Sequence, residues 1–266
     1  MRQVLLGLTI VTLTIAAFSA THRLDAANDP AAVAAQATIP PGPEGELIRY
    51  GRAILTDTKA NAGPYVRAGM SCDACHVAAG TKAHGGSFVG IAANFPQWNR
   101  RANRFITLAD RLDECFLYSM NGTPPAPNSR EVIALSAYIT WLSRGAPIGA
   151  GFPDQGFVTV HSASPPNPTA GAALYAQQCS MCHGADGAGN AAAKFPPLWG
   201  PASFNDGAGM NTKMAAFVKA NMPLGNPGSL SDQQAVDVSA YVLSHPRPHF
   251  DGARIITFPG QPASFF

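Results

Sequence analysis

Two five-residue stretches, Cys72-Asp73-Ala74-Cys75-His76 and Cys179-Ser180-Met181-Cys182-His183, constrain this 266-residue chain more than anything else in it. Two thiols one helical turn apart can add to the two vinyl groups of one porphyrin, and a His directly after them can reach the iron from one side. A lone Cys-x-x-Cys also suits a redox disulfide or half of a zinc site. Two copies, each followed by His, point instead to two covalently bound c-type haems. Cys72, Cys75, Cys179 and Cys182 are then the attachment thiols, and His76 and His183 the proximal iron ligands. Five cysteines less these four leave one, Cys115.

The order of the remaining segments follows from these two anchors. Residues 1–26 read as an export signal, with Arg2 ahead of the apolar run Val4 to Ala20 and small residues at Ala17, Ser19 and Ala20. Export places the body in the periplasm; left uncleaved, the same run is a membrane anchor, the one membrane association expected. Residues 27–43, rich in Ala and Pro, form a tether. A first domain spans 44–145, a Gly- and Pro-rich linker 146–169, and a second domain 170–266. Helical spacing is predicted over Glu44–Leu55, from Thr107 (with Asp110 as capping-box partner) to Asn121-Gly122, and over Ser129–Ser143. Gly51, inside the first of these, predicts close approach of another backbone.

The second domain repeats the plan. Gly171–Gln178 matches the opening helix and Leu230–Ser244 the closing one, and the Cys75-to-Cys182 separation nearly equals that from Tyr138 to Tyr241. The fold class expected is all-α, two tandem cytochrome c-like domains, each around one haem. A net charge of +2 with only 13% charged residues gives no footprint for a nucleic-acid partner.

The far side of each iron needs separate argument. In the second half Met222, in Asn221-Met222-Pro223, lies between haem motif and closing helix, where a thioether can reach the iron. Met210 and Met214 compete, although Met214 fits a helix running to Lys219. A His/Met pair raises the reduction potential relative to His/His, which makes the second haem the electron-accepting end. In the first half the repeat assigns Met120, and leaves Cys115 as a core thiol. Against that, Arg111, Cys115 and Ser119 fall on one side of an α-helix, each roughly 40° from the next. Arg100, Arg101 and Arg104 lie just upstream, and a neighbouring guanidinium favours a thiolate, which is both nucleophile and iron ligand. The residues alone leave both readings open.

A resemblance weighs between them. Gly69-Met70-Ser71-Cys72-Asp73-Ala74-Cys75-His76 with Ala79-Gly80-Thr81-Lys82, then Arg111-Leu112-Asp113-Glu114-Cys115-Phe116, Ser119-Met120-Asn121-Gly122 and Asn128-Ser129-Arg130-Glu131 resemble the tetrathionate-forming thiosulfate dehydrogenases, which are dihaem cytochromes c. So do Phe217-Val218-Lys219-Ala220-Asn221-Met222-Pro223 and Ser244-His245-Pro246-Arg247-Pro248; the likeness covers about residues 44–250. It implies that Cys115 is the distal ligand of the first haem, with Arg101, Arg111 and Ser119 at substrate-binding positions. Cys115 would leave the iron and transiently carry a thiosulfate-derived sulfur group. Some relatives have Lys before the distal Met; with Asn221 there, no Lys ligand is expected to compete with Met222. The implied partners are thiosulfate and tetrathionate, and a periplasmic electron acceptor such as a small cytochrome c or a high-potential iron-sulfur protein. Two rivals stand beside this reading: a dihaem electron carrier without a substrate, and a sulfur-transfer cytochrome acting on a partner's cysteine.

Overall fold

The computed structural model describes residues 38–149, 151 and 155–251. The export signal, most of the tether and the tail beyond Asp251 lie outside the described residues. Seven α-helices of five residues or more organise these residues: α1 (Gly42–Thr56), α2 (Thr58–Ala62), α3 (Leu108–Glu114), α4 (Arg130–Leu142), α5 (Pro168–Gln178), α6 (Met210–Asn221) and α7 (Asp232–Leu243). Their starts are chemically marked. Asp57, Ser129 and Asn167 accept hydrogen bonds from the first free amides of α2, α4 and α5. Thr107/Asp110 and Ser231/Gln234 form reciprocal capping boxes on α3 and α7.

Each half is built on one crossing of its opening and closing helices. Where α1 meets α4, a Cβ on Gly51 would stand 2.0 Å from the carbonyl oxygen of Ala134. Where α5 meets α7, a Cβ on Gly171 would stand 2.0 Å from the carbonyl oxygen of Asp237. No side chain fits at either place, so glycine sets the helix separation. The expectation from Gly51 holds, and Gly171 is its counterpart in the repeat.

Two details depart from the expected helices. The helix entered at Thr107 does not continue as α-helix to Asn121: from Cys115 to Ser119 it widens into a π turn, closed by Met120 N donating to Cys115 O at 2.9 Å. A small antiparallel hairpin, β1 (Gln97–Asn99) with β2 (Arg104–Ile106), also interrupts the otherwise helical fold. Trp98 and Phe105 pair across it edge to face at 5.5 Å. Asn99 Oδ1 accepts from the amides of Arg101 and Ala102 and so shapes its turn. Strands this short carry too little alternation to show in a sequence.

The halves share one apolar core, to which Met70, Phe116 and Leu135 contribute from the first and Trp199, Phe204 and Val238 from the second. Backbone bonds cross the seam: Gly69 N donates to Ala202 O at 2.7 Å and Asn205 N to Tyr118 O at 3.3 Å. Among the described residues no helix is long and apolar enough to cross a membrane.

The helix crossing yields a stability prediction. Gly51→Ala gains about 1 kcal/mol of helix propensity, yet must push α4 away, so a net loss of about 3 kcal/mol is expected in chemical denaturation. Gly63→Ala, with nothing within 4 Å of the added carbon, should be near neutral.

Candidate active site

The first motif begins in a tight turn. Cys75 N and His76 N both donate to Cys72 O, at 3.2 and 3.0 Å, which brings the two thiols to one side. Thr58, wholly buried at the start of α2, fixes this turn: its Oγ1 accepts from Cys72 N at 3.0 Å and donates toward Cys72 Sγ at 3.3 Å. Nothing in the sequence marked Thr58, because the contact joins residues distant in the chain. His76 Nδ1 lies 2.6 Å from the carbonyl oxygen of Gly86. A carbonyl can only accept, so the ring proton sits on Nδ1 and the Nε2 lone pair is free for a metal. Phe88 stacks on the ring at 4.0 Å. Gly86 is required there: its φ is +66°, and a Cβ would stand 2.6 Å from Cys75 O.

The second motif repeats the geometry. Cys182 N and His183 N donate to Cys179 O at 3.2 and 3.0 Å, and His183 Nδ1 bonds the Pro196 carbonyl at 3.0 Å. Crowding by protein pushes the Cys72 and Cys75 thiols up to about 12 and Cys179 up to about 11, and holds His76 down at about 4. His76 is therefore neutral at physiological pH, the state that ligates iron. Two thiols on one side of a turn and an imidazole with free Nε2 fit a c-type haem at each motif. A cleft of about 430 Å³ lined by Ala74 of the first motif and by Phe195 and Pro196 beside the second brings the two neighbourhoods together.

The turn that carries Cys115 lies near the first motif. After burial, charge on Cys115 is among the influences that raise Cys72 and Cys75, and the charge of Arg111 is among those that lower His76, so these groups are neighbours. Burial raises the Cys115 thiol, while the Arg111 guanidinium beside it pulls the other way. Arg111 Nη1 donates to Glu114 Oε2 at 2.6 Å, and Glu114 Oε1 accepts from Asn99 Nδ2 at 2.9 Å. Glu114 is buried, whereas the Arg111 side chain keeps 48% of its surface exposed, so its remaining donors can reach a ligand. Burial, then Asp110 and Glu114, push Asp113 up to about 8. That shift favours its protonated form, and any charge it keeps raises Cys115 further.

The other named residues fall as follows. Arg101 lies over the Tyr118 ring at 4.2 Å and its Nη2 donates to Gly207 O at 3.0 Å, so it spans the domain seam beside the π turn. Arg104 pairs with Asp110 at 3.3 Å. Ser119 ends the π turn, half-buried, and no longer lies one α-helical turn beyond Cys115. Met120 and Met214 are buried in the core; Met210 packs partly against it. Met222 follows α6 as its C-cap, half-buried. Asn205, missed in the sequence, reaches from the second half to the π turn, its Nδ2 donating to Leu117 O at 3.0 Å.

Duplicated attachment turns, each with its carbonyl-held imidazole, define a protein of two c-type cytochrome domains. Comparison with known proteins agrees. The SoxA/TsdA cytochrome c domain family matches residues 62–148, and the family of cbb3-type cytochrome c oxidase subunit III matches residues 166–242. The thiosulfate dehydrogenase of Allochromatium vinosum is 45% identical over 228 residues, covering 82% of this chain and 84% of that protein. That of Stutzerimonas stutzeri is 44% identical, covering 79% and 70%. The structure of the thiosulfate dehydrogenase TsdBA from Marichromatium purpuratum, as isolated, superposes with a TM-score of 0.77 at 38% identity, over 81% of this chain and 50% of that longer one. The chain belongs to the thiosulfate dehydrogenase family, oxidoreductases of the cytochrome c type.

The contact from Asn205 can be tested alone. Asn205→Ala leaves the Leu117 carbonyl buried without its donor, and a loss of about 2 kcal/mol is expected in denaturant titrations. An unchanged midpoint would show that the π turn holds itself.

Proposed function

We propose that the first domain joins two thiosulfates into tetrathionate with Cys115 as the sulfur carrier, and that the two electrons released leave through the second domain to a periplasmic acceptor. A c-type haem at each motif, attached through Cys72 and Cys75 or Cys179 and Cys182, supplies the iron that takes and passes those electrons. In the first domain His76 and Cys115 would hold that iron, and in the second His183 and Met222 would. The observation that carries this reading is the Arg111 guanidinium beside Cys115, near the first attachment thiols, in a chain of this family.

Charge is the main obstacle to the reaction. Two dianions brought to ~5 Å repel by roughly 3 kcal/mol even in water, and by more in a cleft. Arg111 answers this, because a guanidinium stays protonated and binds oxyanions through paired N–H groups. Glu114 holds one end of that fork and orients the rest. Arg101 and Ser119 complete the anion site in this reading. The Cys115 thiolate forms a bond to the sulfane sulfur of one thiosulfate as two electrons depart, giving a cysteine S-thiosulfonate. A second thiosulfate attacks that sulfane sulfur; tetrathionate leaves and the thiolate returns. Tethering the first partner makes the second encounter the only diffusive one. Tetrathionate reduction uses the same parts in reverse.

One observation favours a second reading. The chain is 32% identical over 81 residues to the L-cysteine S-thiosulfotransferase subunit SoxA of Pseudaminobacter salicylatoxidans, covering 30% of this chain. A Cys115 that hands its sulfur group to a partner's cysteine would make no tetrathionate alone.

Purified protein mixed with thiosulfate and an artificial oxidant is therefore expected to form tetrathionate without any partner protein; absence of product favours the transfer reading. Cys115→Ala should keep both haems and lose at least about a thousandfold in turnover. Substantial remaining activity removes the covalent step. Arg111→Ala should lower kcat/KM for thiosulfate by about 10- to 100-fold while reoxidation of the reduced protein by an external oxidant stays close to normal. Equal loss of both would signal general damage.

A further inference from the structure

Asn221 ends α6 and stands directly before Met222, yet its side chain serves the other half of the molecule. Its Nδ2 donates to the carbonyl oxygen of His84 at 2.9 Å and to that of Phe217, one turn back in α6, at 3.0 Å. The residue is wholly buried, at 0% exposure. Its Oδ1 has no hydrogen-bond partner among the described residues. An apolar side chain of the same size would avoid burying that oxygen, so it is the two donors that give an amide its use here.

The acceptor is not an arbitrary carbonyl. Three consecutive carbonyls of one loop are each committed: His84 O to Asn221, Gly85 O to Val77 N at 2.8 Å, and Gly86 O to His76 Nδ1 at 2.6 Å. His84 and Gly86 both sit at positive φ, +55° and +66°. For His84 that conformation is unfavourable and needs outside support. Asn221 provides a contact from the second domain at that residue.

We propose that Asn221 is a positioning residue shared by the two haem sites, holding the loop that orients His76 while fixing the chain that delivers Met222. The inference rests on Met222 being the distal ligand in the second domain. Its physical content is mechanical. The strength of the Nδ1–H···O bond sets how basic His76 is toward iron, so a shift of the Gly86 carbonyl alters the first haem's reduction equilibrium. A shift at the end of α6 alters how the Met222 thioether meets the second iron. One buried side chain makes both contacts, so disturbing either end is felt at the other.

The test uses the purified dihaem protein, with redox titration of each haem and the near-infrared thioether-to-iron absorption band as readouts. The unmodified protein should show that band; its absence overturns the Met222 assignment and the coupling with it. Asn221→Leu, which keeps the volume and removes both donors, should shift the first haem's reduction equilibrium by about fivefold, although the change lies in the second domain. Gly85→Ala works from the other side: its Cβ would stand 3.1 Å from Asn221 Oδ1 and about as close to Val77 and Lys82 within its own domain, so part of a push of a few tenths of an ångström falls on Asn221. It should alter the band and the reduction equilibrium of the second haem. If the band is present but each variant affects only the haem of its own domain, Asn221 is a local helix end and the coupling is wrong. Should Asn221→Leu fail to assemble, the response of the second haem to Gly85→Ala decides alone.

Discussion

Everything at the two motifs depends on a carbonyl oxygen accepting the Nδ1 proton of an imidazole. That bond fixes the tautomer, frees Nε2 and turns the ring toward the space faced by the attachment thiols. The carbonyls of Gly86 and Pro196 do this for His76 and His183. Each comes from a loop that follows its motif by ten residues or more, so each loop must be held in turn. In the first half the holding falls to glycine at positive φ and to contacts from elsewhere in the fold.

Much of that holding comes from the second domain. Asn205 reaches the carbonyls around the Cys115 turn and Asn221 reaches the loop behind His76, so both segments lean on the same neighbour. Arg101 ties the seam from the opposite direction through Gly207. The two halves are not beads on a linker. A redox protein gains from this, since the two motifs stay in a fixed relation, with a cleft lined by residues beside both.

The electrostatics near Cys115 turn on three side chains. Glu114 is the counter-charge that holds Arg111, burial pushes Asp113 up to about 8 and so toward its protonated form, and the exposed part of Arg111 remains positive. Burial alone would keep the Cys115 thiol protonated; the adjacent guanidinium opposes that. The proposed reaction, in which this sulfur carries a thiosulfate-derived group, would need such a balance, since too stable a thiolate is a poor nucleophile.

By itself the sequence determined the attachment cysteines, the proximal histidines, the capped helix starts and the tight crossing at Gly51, because each is local chemistry or a spacing within one helix. It also carried the family likeness around Cys115. It left Met120 and Cys115 in competition, since a repeat and a helical wheel argue oppositely and neither contains distance. Tertiary structure buries Met120 in the core and sets Cys115 beside Arg111, near Cys72 and Cys75; the choice between them rests on the proposed reaction. It also made the π turn, whose extra residue per turn is invisible to a wheel drawn at 100°. Thr58, Asn205 and Asn221 became meaningful only there. Each acts on a backbone group far along the chain, and a pattern read in order cannot register a partner that folding has yet to bring near.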